Sequence, residues 1–202
     1  MRAKAFGAWW FTTRSVTSRV VGKEPSMTIV KRNLDIYRTR LITLQNILGR
    51  AEAELVPEDP EKTALLTARL AEDMLPLPNQ VWFACRQAEL LLGKLNDTPV
   101  KEFEVDTASF ADLQALVAET ISRIEAQADA KESFAEAKTP LELPGMPTLS
   151  MTGQDYIDEW LTPNFYFHLV TAYDILRAEG LAIGKADYLS HLRPLLAAAM
   201  AS

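Results

Sequence analysis

Four stretches of this chain repeat apolar residues at the three-and-four spacing of a helix, and only one short pair of segments alternates as strands do. In the first stretch, about Thr28 to Leu55, the apolar side is Leu34, Leu41, Leu44, Ile47 and Leu48, while Lys31, Arg32, Arg38, Arg40 and Arg50 can face water. Val56-Pro57-Glu58-Asp59-Pro60 ends it, because proline removes a backbone donor and clashes with the preceding turn. A short helix is expected over Glu61–Leu70, then a break at Pro76 and Pro78. Asn79 reads as the N-cap of a second long helix, Gln80 to Leu95, with Val81, Ala84, Cys85, Ala88, Leu91, Leu92 and Leu95 inward. After Asn96-Asp97-Thr98-Pro99, a third helix starts near Thr107 or Ser109. Ser109 with Asp112 resembles a capping box there, and Phe110, Leu113, Leu116, Val117, Ile121 and Ile124 form the buried face.

The alternating pair is Leu141-Glu142-Leu143 and Thr148-Leu149-Ser150 around Pro144-Gly145-Met146-Pro147, a hairpin too small to stand alone. Thr152 with Asp155 caps the next helical stretch, and Thr162-Pro163 restarts or kinks it. The fourth helix turns Phe165, Leu169, Ala172 and Ile175 or Leu176 inward, and Gly180 closes it. A terminal helix over Lys185–Met200, interrupted at Pro194, completes the pattern. The expected fold class is all-α: a four-helix bundle whose crossover between the third and fourth helices carries a small β-hairpin.

Composition sets the outer limits. The chain has 202 residues, 48% of them hydrophobic, enough for one domain with its own core. Residues 1–26 hold five basic residues and one acid in a chain whose total charge is −6, so the remainder carries about −10. That remainder argues against a nucleic-acid surface. No run of about 18 apolar residues occurs, which argues against a membrane-spanning helix. The Arg- and Ser/Thr-rich opening has the composition of an organelle transit peptide, or is an extension ahead of a domain that opens at Met27. The domain is expected over residues 27–190, with 191–202 as a tail. A single cysteine, Cys85, excludes an intramolecular disulfide and points to a reducing compartment. That implies a cytoplasmic location, or a mitochondrial one if residues 1–26 are a transit peptide.

Signatures of common chemistries are missing: no Gly-rich phosphate loop, no His-Glu-x-x-His, no Gly-x-Ser-x-Gly and no dinucleotide fingerprint. With only His168 and His191, one chain cannot supply three histidines to a metal. The segment Pro163-Asn164-Phe165-Tyr166-Phe167-His168 is the most suggestive. Asn164 and His168 are four apart, so one helix face can present a carboxamide and an imidazole. Gln80, at the start of the second helix, can reach the same cavity. Asp73 can orient His168 or bind a cation, and Tyr166 and Tyr173, seven apart, can line a cleft. Each has an ordinary alternative: a core histidine bonded to a neighbour, a solvated first-turn Gln, an Asp closing a turn, aromatic packing. Cys85 reads as a buried, inert thiol, and His191 as exposed.

Arg69-Leu70-Ala71-Glu72-Asp73-Met74-Leu75-Pro76-Leu77 with Gln80-Val81, Thr152-Gly153-Gln154-Asp155-Tyr156, the Pro163–His168 segment with Thr171-Ala172-Tyr173-Asp174-Ile175-Leu176-Arg177, and Gly184-Lys185-Ala186-Asp187-Tyr188-Leu189 together resemble a family of unknown function in the DinB/YfiT-like superfamily. The resemblance spans about Met27 to Leu189. It implies an up-down-down-up order of the four helices and, often, a homodimer. It also implies a divalent metal, zinc or nickel, held by three histidines, as in the superfamily's metal-dependent thiol-cofactor transferases and isomerases. This sequence departs from that pattern: Asn164 and His168 stand where the superfamily has His-x-x-x-His, and Gln80 is nearest to its first histidine. His168 is therefore the best remaining metal candidate.

The sequence supports three readings of function. The first is a bundle with a polar pocket between helices, formed by Gln80, Asn164 and His168, that binds a small molecule or runs an altered reaction. The second is a metal-dependent transferase or hydrolase with a weak site completed by water or Asp73. The third is a structural module acting through a dimer surface.

Overall fold

The computed structural model describes residues 28–55, 64–127 and 132–201. The expectations for residues 1–26, for the stop at Val56–Pro60 and for the start of the short helix at Glu61 lie outside the described residues. Within them, α1 (Ile29–Glu54) begins as expected at Thr28, whose hydroxyl accepts from the Lys31 amide. Residues Val30, Leu34, Tyr37, Leu41, Leu44, Leu48 and Ala51, spaced by three and four, are buried along it. A single turn, α2 (Ala64–Thr67), precedes α3 (Leu77–Asn96).

The start of α3 differs from the sequence expectation. Asn79 is not the cap; Pro76 is, and Pro78 lies inside the first turn. The first amides of a helix have no intrahelical acceptor, so a proline there loses nothing, and its fixed φ already suits the helix. The Leu77 amide finds the Ala68 carbonyl instead, at 3.0 Å. The third helix, α4 (Phe110–Ala126), carries the expected reciprocal capping box of Ser109 and Asp112.

Side-chain pairs give the direction of each helix. Arg38 meets Glu125 and Gln114 reaches the Gln45 carbonyl, so α4 runs antiparallel to α1. Glu89 meets Arg123 and Asn96 meets Gln127, so α3 and α4 are parallel. Two parallel consecutive helices need a connection that runs back along their length. That connection is residues 97–109, and it lies between α3 and α4 rather than between the third and fourth long helices.

The hairpin comes after α4, as expected, but three residues earlier in the first strand. β1 (Lys138–Leu141) pairs antiparallel with β2 (Leu149–Thr152), Leu141 opposite Leu149 and Lys138 opposite Thr152. Pairing ends at Leu141, opposite Leu149, and Pro144 and Pro147 offer no amide hydrogens to extend it. Those residues form a turn instead, closed by the Met146 amide on the Leu143 carbonyl with Gly145 at φ +74°. Thr139 and Leu141 face inward.

Thr152 and Asp155 form the second expected capping box, at the start of α5 (Gly153–Asp155). Six residues of π-helix, Tyr156–Leu161, lead into α6 (Thr162–Ala178), with Pro163 in its first turn. α6 ends in a Schellman motif: Leu181 N–H donates to the Leu176 carbonyl and Gly180 N–H to Arg177, with Gly180 at φ +101°. Tyr37 meets Thr162 and Phe165 across the α1–α6 seam, and Arg50 meets Asp187 beyond α6, so these two helices are parallel. Gln80 meets His168, and Lys94 lies over the Tyr156 ring, so α3 and α6 are antiparallel. The order is therefore up-down-down-up.

The chain ends in α7 (Lys185–Tyr188), a 3₁₀ turn at Ser190–Leu192 and α8 (Arg193–Met200). The break falls before Pro194, which starts α8 rather than interrupting it. His191 is half-buried against expectation, and its Nδ1 has no partner among the described residues. Burial and the neighbouring Arg40 charge hold its pKa below the usual value. No helix among the described residues is long and apolar enough to cross a membrane.

Candidate functional site

Gln80 lies in the first turns of α3, where the chain has just come through the Pro76–Pro78 bend. It is almost fully buried, at 2% exposure, and its side chain folds back so that Nε2 donates to the Leu75 carbonyl at 2.8 Å. A carbonyl can only accept, so this contact fixes which end of the amide points where. Oε1 is left facing Nδ1 of His168, 2.8 Å away across the α3–α6 seam. An amide oxygen also can only accept, so Nδ1 carries the imidazole proton and Nε2 carries the lone pair. Nε2, which carries the lone pair, bonds to no described residue and is not among the fully buried unpaired atoms.

The surroundings of the ring keep it neutral. One face stacks on Phe83, centroids 5.0 Å apart, and Phe167 meets it edge-on at 5.2 Å. Burial against these rings pushes the His168 pKa down to about 4, because an imidazolium there would lose water without gaining a carboxylate. At neutral pH the site therefore presents an uncharged, oriented acceptor beside Phe167, which is 58% exposed.

The other sequence candidates divide. Asn164 shares a helix face with His168 but does not converge on it: its Nδ2 donates to the Trp160 carbonyl at 2.7 Å, holding the last turn of the π segment. Asp73 is exposed and bonds to no described residue, so it does not orient His168. Tyr166 packs edge-on to Phe165, and Tyr173 takes a hydrogen bond from Arg177 and meets Tyr188. These two tyrosines belong to the side of α6 away from Gln80. Cys85 is fully buried, its thiol pushed up to about 12 by burial.

One residue that touches the ring, Phe83, is not among the sequence candidates. Phe83 is three residues past Gln80 and so shares its face; that spacing was the available signal. Gln87 repeats Gln80 seven residues on and is buried. Its Nε2 donates to the Phe83 carbonyl at 3.1 Å, while Oε1 is buried with no partner among the described residues.

A three-ligand metal site does not fit these residues. The Gln80 oxygen is occupied by His168, the Asn164 amide is turned to the backbone, and one imidazole nitrogen remains as a donor. Zinc and nickel sites rest on several nitrogen or sulfur ligands, which amide oxygens replace poorly.

Against known proteins, the family described as Domain of unknown function (DUF1993) matches residues 31–189. A solved structure of a DinB family member protein from Shewanella denitrificans aligns with a TM-score of 0.64 and 30% sequence identity, covering 77% of this chain and 88% of that one. No curated protein matches in sequence. The chain belongs to the DUF1993 family and is DinB-like.

Proposed function

We propose that this DUF1993 protein is a small-molecule-binding bundle, with the α3–α6 seam at Gln80 and His168 as its polar recognition point. The observation that carries the reading is the chain Leu75 carbonyl–Gln80 amide–His168 Nδ1, which leaves a single neutral acceptor, Nε2, without a partner among the described residues. The buried Gln80 fixes the tautomer, so the ring keeps its acceptor, and not its donor, for a ligand.

The chemistry selects the ligand class. A neutral acceptor flanked by Phe83 and Phe167 suits a compact molecule with a flat apolar part and one O–H, N–H or S–H donor. Anions gain nothing from an uncharged imidazole, and cations find no carboxylate in contact with it.

Phenol is a suitable probe, with anisole, which lacks the donor, as control. Phenol is expected to shift the ring resonances of His168 and to bind about tenfold more tightly than anisole, the difference one good hydrogen bond makes. His168→Ala should abolish the preference. Equal binding of the two probes, or none, would sink the proposal. Stoichiometric zinc or nickel that survives dialysis and is lost in His168→Ala would support the metal-dependent reading instead.

A further inference from the structure

The up-down-down-up order forces residues 97–109 to run back along the parallel pair α3 and α4, and that run roofs a cavity of about 180 Å³. Trp82 and Phe103 wall it, centroids 5.9 Å apart and 34° from parallel. Trp82 comes from α3 and is 5% exposed; Phe103 comes from the crossover itself. Glu89 and Arg123 face each other across the floor, with Oε2 and Nη1 2.5 Å apart, beside the buried Thr120. None of these residues belongs to the seam with α6.

Glu89 is unusual in how it is kept. It is 6% exposed, and its Oε2 is held by the Arg123 ion pair without a well-aligned hydrogen bond. Burial raises its pKa despite Arg123 and the Thr120 hydroxyl, so the carboxylate is short of compensation where it stands. A buried charge in that state gains most from an added N–H⁺ donor. The rim points the same way: Glu102, Asp112 and Glu119 outnumber Lys101. The ring faces of Trp82 and Phe103 favour a cation with an apolar body.

We infer that the α3–α4 cavity is a binding site for a small organic ammonium, its N–H⁺ on Glu89 and its apolar part between Trp82 and Phe103. Arg123 swings outward toward solvent, where it is already 39% exposed, as the ammonium takes its place on the carboxylate.

The probe is benzylammonium, titrated into the whole protein while the indole resonance of Trp82 is followed, that resonance being identified by its loss in Trp82→Phe. Saturable binding is expected in the millimolar range or tighter. Neutral benzyl alcohol should bind about tenfold more weakly, and Glu89→Gln should weaken benzylammonium by about the same factor. Phe103→Ala, on a connection outside the helices, should weaken it severalfold while leaving the melting temperature close to that of the parent. Absence of saturable binding, equal affinity for the alcohol, or unchanged affinity in a folded Glu89→Gln or Phe103→Ala protein would each overturn the assignment.

Discussion

The two seams that α6 makes, with α1 on one side and α3 on the other, both bury polar side chains but use them differently. On the α1 side, Tyr37 is fully buried and stacks on Phe165 at 4.5 Å. Its hydroxyl lies 2.8 Å from Thr162 Oγ1, which donates to Asn33 Oδ1, and Asn33 Nδ2 donates to the Ile29 carbonyl. Because the Thr162 proton goes to Asn33, Tyr37 is the donor at its end of the chain. Every group has a partner and none is left for a guest. On the α3 side the chain runs from the Leu75 carbonyl through Gln80 to His168 and stops at an open nitrogen. A closed network fixes how two helices meet; an unfinished one presents an atom to something outside the protein.

The largest expected difference lies in stability. Tyr37→Ala removes a fully buried aromatic ring, its stack and its hydrogen bond, and should cost about 3–5 kcal/mol in urea unfolding. Tyr37→Phe keeps the ring and should cost about 1 kcal/mol. Neither should change the phenol-over-anisole preference wherever the protein remains folded. A loss of that preference in Tyr37→Phe would show that the two seams are not separable.

A second, smaller effect comes from acid. The His168 imidazole protonates near 6.5 in the unfolded chain but only near 4 when folded. Between those values the unfolded chain binds the extra proton, so stability is full above about pH 6.5 and falls as pH drops toward 4. Because the ring is only half-buried, the linkage is discounted for solvent to about 1 kcal/mol at pH 5. The checking measurement is the drop in stability between pH 7 and pH 5, compared in the parent and in His168→Gln, since the carboxylates titrate alike in both. An equal drop would remove the case for a ring held neutral by its surroundings. The α1 seam should add nothing here: burial raises the Tyr37 pKa, away from this range.

How much of this is legible in the sequence depends on whether the cause is local. The capping boxes at Ser109–Asp112 and Thr152–Asp155 and the Gly180 stop were legible because each is decided within a few residues. The four helices were legible because their apolar periods are long. The start of α3 is not legible in this way, because Asn79 is a good cap in isolation, whereas Pro76–Pro78 with the Ala68 carbonyl makes an earlier start available. Asn164 looked like a partner of His168 from its spacing alone; the π turn before Pro163 offers it the Trp160 carbonyl, and no residue count shows that. Gln80 and His168 stand 88 residues apart, so their pairing rests on which helices are antiparallel neighbours. The cavity at Glu89 was invisible for the same reason: on α3 alone Glu89 reads as a solvated face, and only the parallel α4 and the crossover bury it.

The smallest effect is the most discriminating. His168→Gln at pH 7 should change stability by no more than about 0.5–1 kcal/mol, because a glutamine amide can still donate to Gln80 Oε1 and what is lost is chiefly the stack on Phe83. The buried acceptor stays satisfied, so the penalty of an orphaned group does not arise. Yet the substitution removes the Nε2 lone pair at its fixed position, and the phenol preference should fall about tenfold. At the closed seam the order is reversed, with a large loss of stability in Tyr37→Ala and no specific loss of binding. If His168→Gln instead cost several kcal/mol, comparable to Tyr37→Ala, His168 would be a core residue like Tyr37, and its open nitrogen would be an incidental result of where the ring edge reaches the surface.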